Sequence, residues 1–262
     1  MFDAHAHLQD QKLLPRLRVV LDSAVDAGVT AVCCCGTGCD DWEALAGLCR
    51  IVSKPVLVPA FGVHPWYCLN QPDDWLERLE RMFYRFPAAA LGEAGVDGLK
   101  RDIPMSCQRI CLELQLDLAV RLKLPVVLHG ARAWDELLDV LTPYVRNLPA
   151  VVLHGFGGSR EQFAKFSQIG CYFSLGGAVC NPQAKKVRAI VAEIPDSQLL
   201  IETDSPDLLP YGGKALDSDA SGRPINQPSN LGVVAETIAS LRGISFDALS
   251  DLTAANARRV FM

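Results

Sequence analysis

Residues 105–129 read MSCQRICLELQLDLAVRLKLPVVLH, and this stretch holds a complete helix-to-strand unit. Apolar residues return every three or four positions through 105–122, the period of a helix with one buried face. A short apolar run, LPVVLH at 124–129, then ends in a histidine. Runs of the same kind end at FDAHAH, VTAVCCC, VLVPAFGVH, AAALGE, AVVLH, CYFSL and QLLIET, with helical periodicity between them, as at 229–241. Strand and helix in alternation imply a parallel sheet with right-handed crossovers. Eight such units in 262 residues match a closed (β/α)8 TIM barrel filling 1–262 as one domain. The rival is a doubly wound open sheet, but no G-x-G-x-x-G follows the first strand.

The chain has five histidines, His5, His7, His64, His129 and His154. Each falls at or just past the C-terminal end of an expected strand. In a barrel those ends meet in one rim, where active sites are built. The opening residues MFDAHAHLQD add detail, because Asp3, His5 and His7 alternate with apolar neighbours and so share one face of an extended strand. Two acids follow the same habit: Glu93 ends AAALGE, and Asp204 follows QLLIET. Buried carboxylates without partners are costly, and a metal removes that cost. Imidazoles with carboxylates and no thiolate favour Zn, Mn or Mg as the divalent ion. The set is too large for one four-coordinate ion with an open position and suits two ions with a carboxylate between them.

Composition narrows the remaining choices. Half the residues are hydrophobic, enough for a substantial core, and the net charge of −5 argues against sequence-independent wrapping of duplex nucleic acid. No run approaches the ~20 apolar residues that span a bilayer. The N-terminus lacks the pattern of an export signal. Of ten cysteines, Cys33, Cys34 and Cys35 are consecutive within VTAVCCCGT and none shows zinc-type C-x-x-C spacing. They read as small buried strand residues kept reduced, which places the protein in the cytoplasm. No obligate protein partner is evident.

Six motifs in order, DAHAH at 3–7, GVHP at 62–65, GEAGVD at 92–97, LPVVLH at 124–129, LHGFGGS at 153–159 and ETDSP at 202–206, resemble the TatD family of metal-dependent deoxyribonucleases. The similarity runs from Phe2 to the closing NARRVF. It implies an amidohydrolase-type barrel that hydrolyses phosphodiester bonds with two divalent ions. By this resemblance His5 and His7 hold the first ion, Glu93 bridges both, His129 and His154 hold the second, and Asp204 is the aspartate of the eighth strand. His64 matches a histidine that contacts the scissile phosphate. The chain departs from the family at HGARA (129–133), where a serine and an aspartate are common, at Gly155, where a cysteine is common, and at INQP (225–228), where Ile225 and Gln227 replace an arginine and a carboxylate.

The expected chemistry is attack by a water activated between two ions, with Asp204 as general base. His64 and Arg132 would grip the phosphate. Asp3 is expected to orient a ligand imidazole, with a structural role at the strand as the alternative. Trp66 and Tyr67 could stack on a base or simply pack. Gly157 and Gly158 before Ser159 suit a phosphate cradle or a plain turn. The segment 205–229 reads as a mobile element over the site. The leading reading is a deoxyribonuclease of 3′–5′ exonuclease type acting on DNA or another phosphodiester. The alternatives are an amidohydrolase-like enzyme for a small amide, lactone or ester, and a metal-holding binding protein with weak turnover. The first alternative is weakened because Glu93 stands where many such enzymes have a carbamylated lysine, with Lys100 too far along the loop.

Overall fold

A computed structural model describes residues 1–262. Eight strands form one parallel sheet in sequence order: β1 (Phe2–Ala6), β2 (Ala31–Cys35), β3 (Val56–Phe61), β4 (Ala90–Asp97), β5 (Val126–Ala131), β6 (Val151–Leu153), β7 (Tyr172–Leu175) and β8 (Leu199–Ile201). Helices α1 (Leu17–Asp26) to α7 (Lys185–Ile190) fall in the seven crossovers, with α2 at Trp42–Ile51, α3 at Trp75–Arg85, α4 at Met105–Leu122, α5 at Trp134–Leu141 and α6 at Arg160–Gln168. Two more, α8 (Leu231–Arg242) and α9 (Phe246–Phe261), follow β8. The eight expected strands and the two expected helical segments are all present, so the fold is a (β/α)8 barrel.

The short strands read as continuous apolar runs because both faces are buried. In β2, Ala31, Cys33 and Cys35 join a cluster with Phe2, Val58, Val127, Val152 and Leu200 from across the sheet, which is the barrel interior. Val32 and Cys34 point the other way, into the larger layer between sheet and helices. The interior cluster also takes Ala254, Ala257, Val260 and Phe261 of α9, and Phe2 stacks on Phe261 with centroids 5.6 Å apart. The last helix therefore stops the N-terminal mouth of the barrel and leaves the C-terminal mouth for chemistry.

The seam between β1 and β8 has no regular ladder. It is closed by an isolated bridge from Ala6 to Ser205 and by backbone bonds in which Asp204 N donates to His5 O (2.9 Å) and His7 N to Ser205 O (2.7 Å). Asp3 supplies the rest: its buried carboxylate accepts from Thr203 N at 2.9 Å and Thr203 Oγ1 at 2.6 Å. The expectation that Asp3 orients an imidazole is thus corrected. A register shift between Asp3 and Ala6 breaks the alternation that would have set its carboxylate beside His5 and His7, and Asp3 has the structural role.

The segment 205–229 has a short sheet of its own and bonds to the barrel at its base. It contains the hairpin β9 (Asp217–Ser218) and β10 (Pro224–Ile225), and Ile225 is buried. Buried Asn226 donates to Thr203 O at 2.8 Å, while Asn230 Nδ2 donates to Asn226 Oδ1 and to Lys214 O. These side-chain amides satisfy backbone groups that no ladder reaches and tie the base of the loop to the barrel.

Candidate active site

The C-terminal ends of the strands bring all five histidines onto one carboxylate. Glu93 Oε1 lies 2.9 Å from His129 Nδ1, 3.2 Å from His154 Nε2 and 3.4 Å from His64 Nε2. Its Oε2 lies 3.2 Å from His5 Nε2 and 3.4 Å from His7 Nε2. Asp204 Oδ1 stands over the second pair, 3.6 Å from His5 and 3.7 Å from His7. Glu93 is inside β4, which runs four residues beyond it to Asp97, rather than at the strand end. It reaches the rim because β4 shifts register against β5 between Leu91 and Ala94. Gly95 allows the close approach that follows: at φ 148°, a Cβ there would lie 2.1 Å from His129 O.

The second nitrogen of each ring has its own partner. His7 Nδ1 meets Cys35 O at 2.7 Å, His154 Nδ1 meets Glu202 Oε1 at 3.1 Å, and His129 Nε2 meets Asp97 Oδ2 at 3.2 Å. These partners only accept, so each ring donates to them and presents a bare lone pair to Glu93. His5 Nδ1 lies 3.4 Å from Cys35 Sγ. His64 is reversed, because its Nδ1 accepts from Trp66 N at 3.1 Å. Its Nε2 therefore carries the hydrogen and faces the cluster as a donor. Cys35, Asp97 and Glu202 were absent from the expected site. Asp97 and Glu202 lie in the GEAGVD and ETDSP motifs, but Cys35 acts through its carbonyl, which residue type does not report.

Lone pairs 2.9–3.4 Å from carboxylate oxygens repel unless a proton or a cation lies between them. The donor set fits divalent metal: two overlapping triples, His5–His7–Glu93 and His5–His154–Asp204, have ligand atoms within 4.8 Å of one another, and His64, also grouped with Glu93 and His129 at that spacing, turns an N–H to them. The titration behaviour follows the same logic. Burial opposes charge on His7, but the hydrogen bond and charge of Glu93, with Asp204, push it up to about 9. Burial also opposes charge on His154, yet Glu202, Glu93 and Asp204 carry it well above the usual imidazole value. Burial and the neighbouring His154 push His5 down to about 4, and burial lifts Asp204 to about 6. Burial would raise Glu93, but the imidazoles of His64, His154 and His5 hold it well below the carboxylate range.

Around the cluster, Trp66 and Tyr67 stand beside His64 with ring centroids at 5.1 and 6.1 Å, and Trp66 Nε1 donates to Asp97 Oδ2 at 2.6 Å. Arg132 is exposed just past β5 and is not among the groups on Glu93. Gly157 and Gly158 lead to Ser159, which caps α6 in a reciprocal box with Gln162, a structural turn. Lys100 pairs with Asp102 at 3.2 Å and does not enter the cluster.

The sequence profile described as TatD related DNase matches residues 2–262. The chain belongs to the TatD family. Relatives include the TatD protein "3'-5' ssDNA/RNA exonuclease TatD" of Yersinia pseudotuberculosis, 30% identical over 100% of this chain and 99% of that one. The uncharacterized metal-dependent hydrolase YjjV of Escherichia coli is 32% identical over 99% of this chain and 96% of its own length. The crystal structure of that TatD homolog superposes with a TM-score of 0.90, covering 100% of this chain and 97% of that one at 31% identity. As a TatD-family member, this protein is a metal-dependent hydrolase acting on ester bonds. No helix in it is long and apolar enough to cross a membrane.

Proposed function

We propose that the protein is a two-metal phosphodiesterase, a deoxyribonuclease of the 3′–5′ exonuclease type that cuts single nucleotides from a DNA end. The observation that carries this reading is the division of five imidazoles between the two oxygens of Glu93. A carboxylate loaded on both oxygens suits a shared ligand: His5 and His7, with Asp204 near them, would hold one ion, and His129 and His154 would hold the other. Two divalent ions held there would lower the pKa of a bound water towards neutrality and offset charge on a phosphate. The exonuclease name of the relatives supports DNA or RNA as the substrate.

The chain's own groups do the rest. Asp204, held 3.6 Å from His5 and 3.7 Å from His7, is the carboxylate placed to accept the proton of the attacking water. His64 offers Nε2–H to a phosphate oxygen, and the backbone N–H of Trp66 fixes that tautomer. Arg132 is proposed as a further phosphate contact from the rim. The proposal is tested by metal content and turnover together. After reconstitution, elemental mass spectrometry should find close to two equivalents of Zn or Mn per chain, and Glu93→Ala should lose metal from both positions and lose cleavage of an end-labelled oligonucleotide. Full metal content and activity in Glu93→Ala would remove the bridge.

A further inference from the structure

Two cavities lie on the rim beside the cluster. One, of about 500 Å3, is lined by Gly155, which follows His154, by Glu202, which is bonded to His154 Nδ1, and by the glycines at the end of β7. The other, of about 590 Å3, begins at Arg132, just past His129. Gly157 and Lys186 line both, so the two join into one groove over the loops after β5, β6 and β7. Each half is within the size range of sites for small ligands, about 300–1,000 Å3.

The charges along this groove are one-sided. Lys185, Lys186 and Arg132 line it, are exposed, and make no ion pair. The acids along it are already engaged. Asp135 accepts from Gln162 at 2.8 Å and pairs with Lys165 at 3.9 Å, Glu136 is bonded by Arg109, and Glu202 holds His154 and Gly155 N. In a chain with net charge −5, three free cations on a groove formed by the loops that follow His129 and His154 make a cationic track suited to an anion. Much of the wall near His154 is apolar, with Phe156 and Leu175, and glycines there leave the backbone open to a flat ring.

We infer that this groove carries the single-stranded remainder of the substrate away from the cluster, with Lys185 and Lys186 on successive backbone phosphates. The inference rests on the nucleic-acid reading above and adds the path of the strand and the residues that hold it. Neither lysine touches Glu93 or any histidine, so substituting them separates strand binding from the chemistry. Lys54, exposed just before β3 at the opposite mouth, gives a control for loss of a surface charge away from the groove.

The test measures binding of a fluorescein-labelled dT12 strand by anisotropy across a salt series, for metal-loaded wild type, Lys185→Gln/Lys186→Gln and Lys54→Gln. Each phosphate neutralised on a single strand contributes a slope of about 0.7 in log affinity against log salt, so the double variant should be shallower by about 1.4. Lys54→Gln should keep the wild-type slope. Turnover of the nitrophenyl phosphodiester of a single nucleoside, too short to reach the lysines, should be equal in all three. An unchanged slope in the double variant, with its melting temperature intact, overturns the track. Lysine-dependent binding by a protein that cleaves neither substrate upholds the track and sinks the phosphodiesterase reading. Ester turnover with lysine-independent binding does the reverse.

Discussion

A neutral imidazole has one N–H and one lone pair, so the partner of one nitrogen decides what the other can do. This rule sorts four of the five identical side chains into different roles. His7, His129 and His154 each give their hydrogen to an oxygen behind them and keep a lone pair for the site. His64 takes a hydrogen from Trp66 N and keeps a donor. His64→Ala should therefore retain both equivalents of metal and lose turnover by ~10²–10³, typical of one transition-state donor; loss of metal in that variant would make His64 a ligand. Asp204→Asn preserves volume but cannot take a proton from water. Single-turnover cleavage should fall by ~10²–10⁴ with the thermal melt retained, and wild-type cleavage would exclude Asp204 as the base. The histidines were legible in the sequence because they are few and all fall near the C-terminal ends of apolar runs. Glu202 was not, although it precedes Asp204 by only two residues: residue type alone cannot separate an acid that faces the histidine cluster from one that braces a histidine from behind.

Helix α4 places two of these residues from the outside of the barrel. Gln115 accepts from Val63 N at 2.8 Å and donates to Val63 O at 3.1 Å, holding the residue before His64. Gln108, seven positions earlier on the same stripe, does the same for Asp97 at 2.7 and 3.2 Å. Each buried amide stands in for a strand neighbour where none is available. Gln115→Ala leaves a buried N–H and C=O without partners, which should cost about 3 kcal/mol. Denaturant unfolding should show the lower midpoint, and turnover should fall further than metal content because His64 is displaced. An unchanged midpoint would mean that water replaces the amide without loss. The sequence marks the bounds of α4 well, since its period is clear over 105–122. The roles of its glutamines stay hidden, because a polar residue within a helical period reads as solvent-facing. Asp3 misled for a related reason. The two-residue period of β1 holds only as long as its register does.

At the scale of the barrel, the metal-free cluster is held together by protons. His7 titrates at about 9 in the folded chain against an ordinary 6.5, so its stabilisation is complete below about 6.5 and is lost as pH rises through about 9. His129 and His154, also raised, act in the same direction. Protein stripped with a chelator should therefore melt at progressively lower temperature from pH 6.5 to 9, while metal-loaded protein should change little across that window. Metal added at pH 7 should release protons into a weak buffer. A metal-free melting temperature that stays level over this range would refute the account. The barrel itself was legible because its strands are buried on both faces and read as apolar runs. Its closure was not, because a seam made by Asp3, Thr203 and single backbone bonds has no pattern along the chain. The gathering of all five histidines onto Glu93 has a practical consequence for spectroscopy. With nitrogen-15 introduced only in histidine, every imidazole resonance of the chain comes from the cluster on Glu93, with no background from elsewhere in the fold. Tautomer, protonation and metal attachment could then be followed ring by ring in one spectrum, without installing a probe.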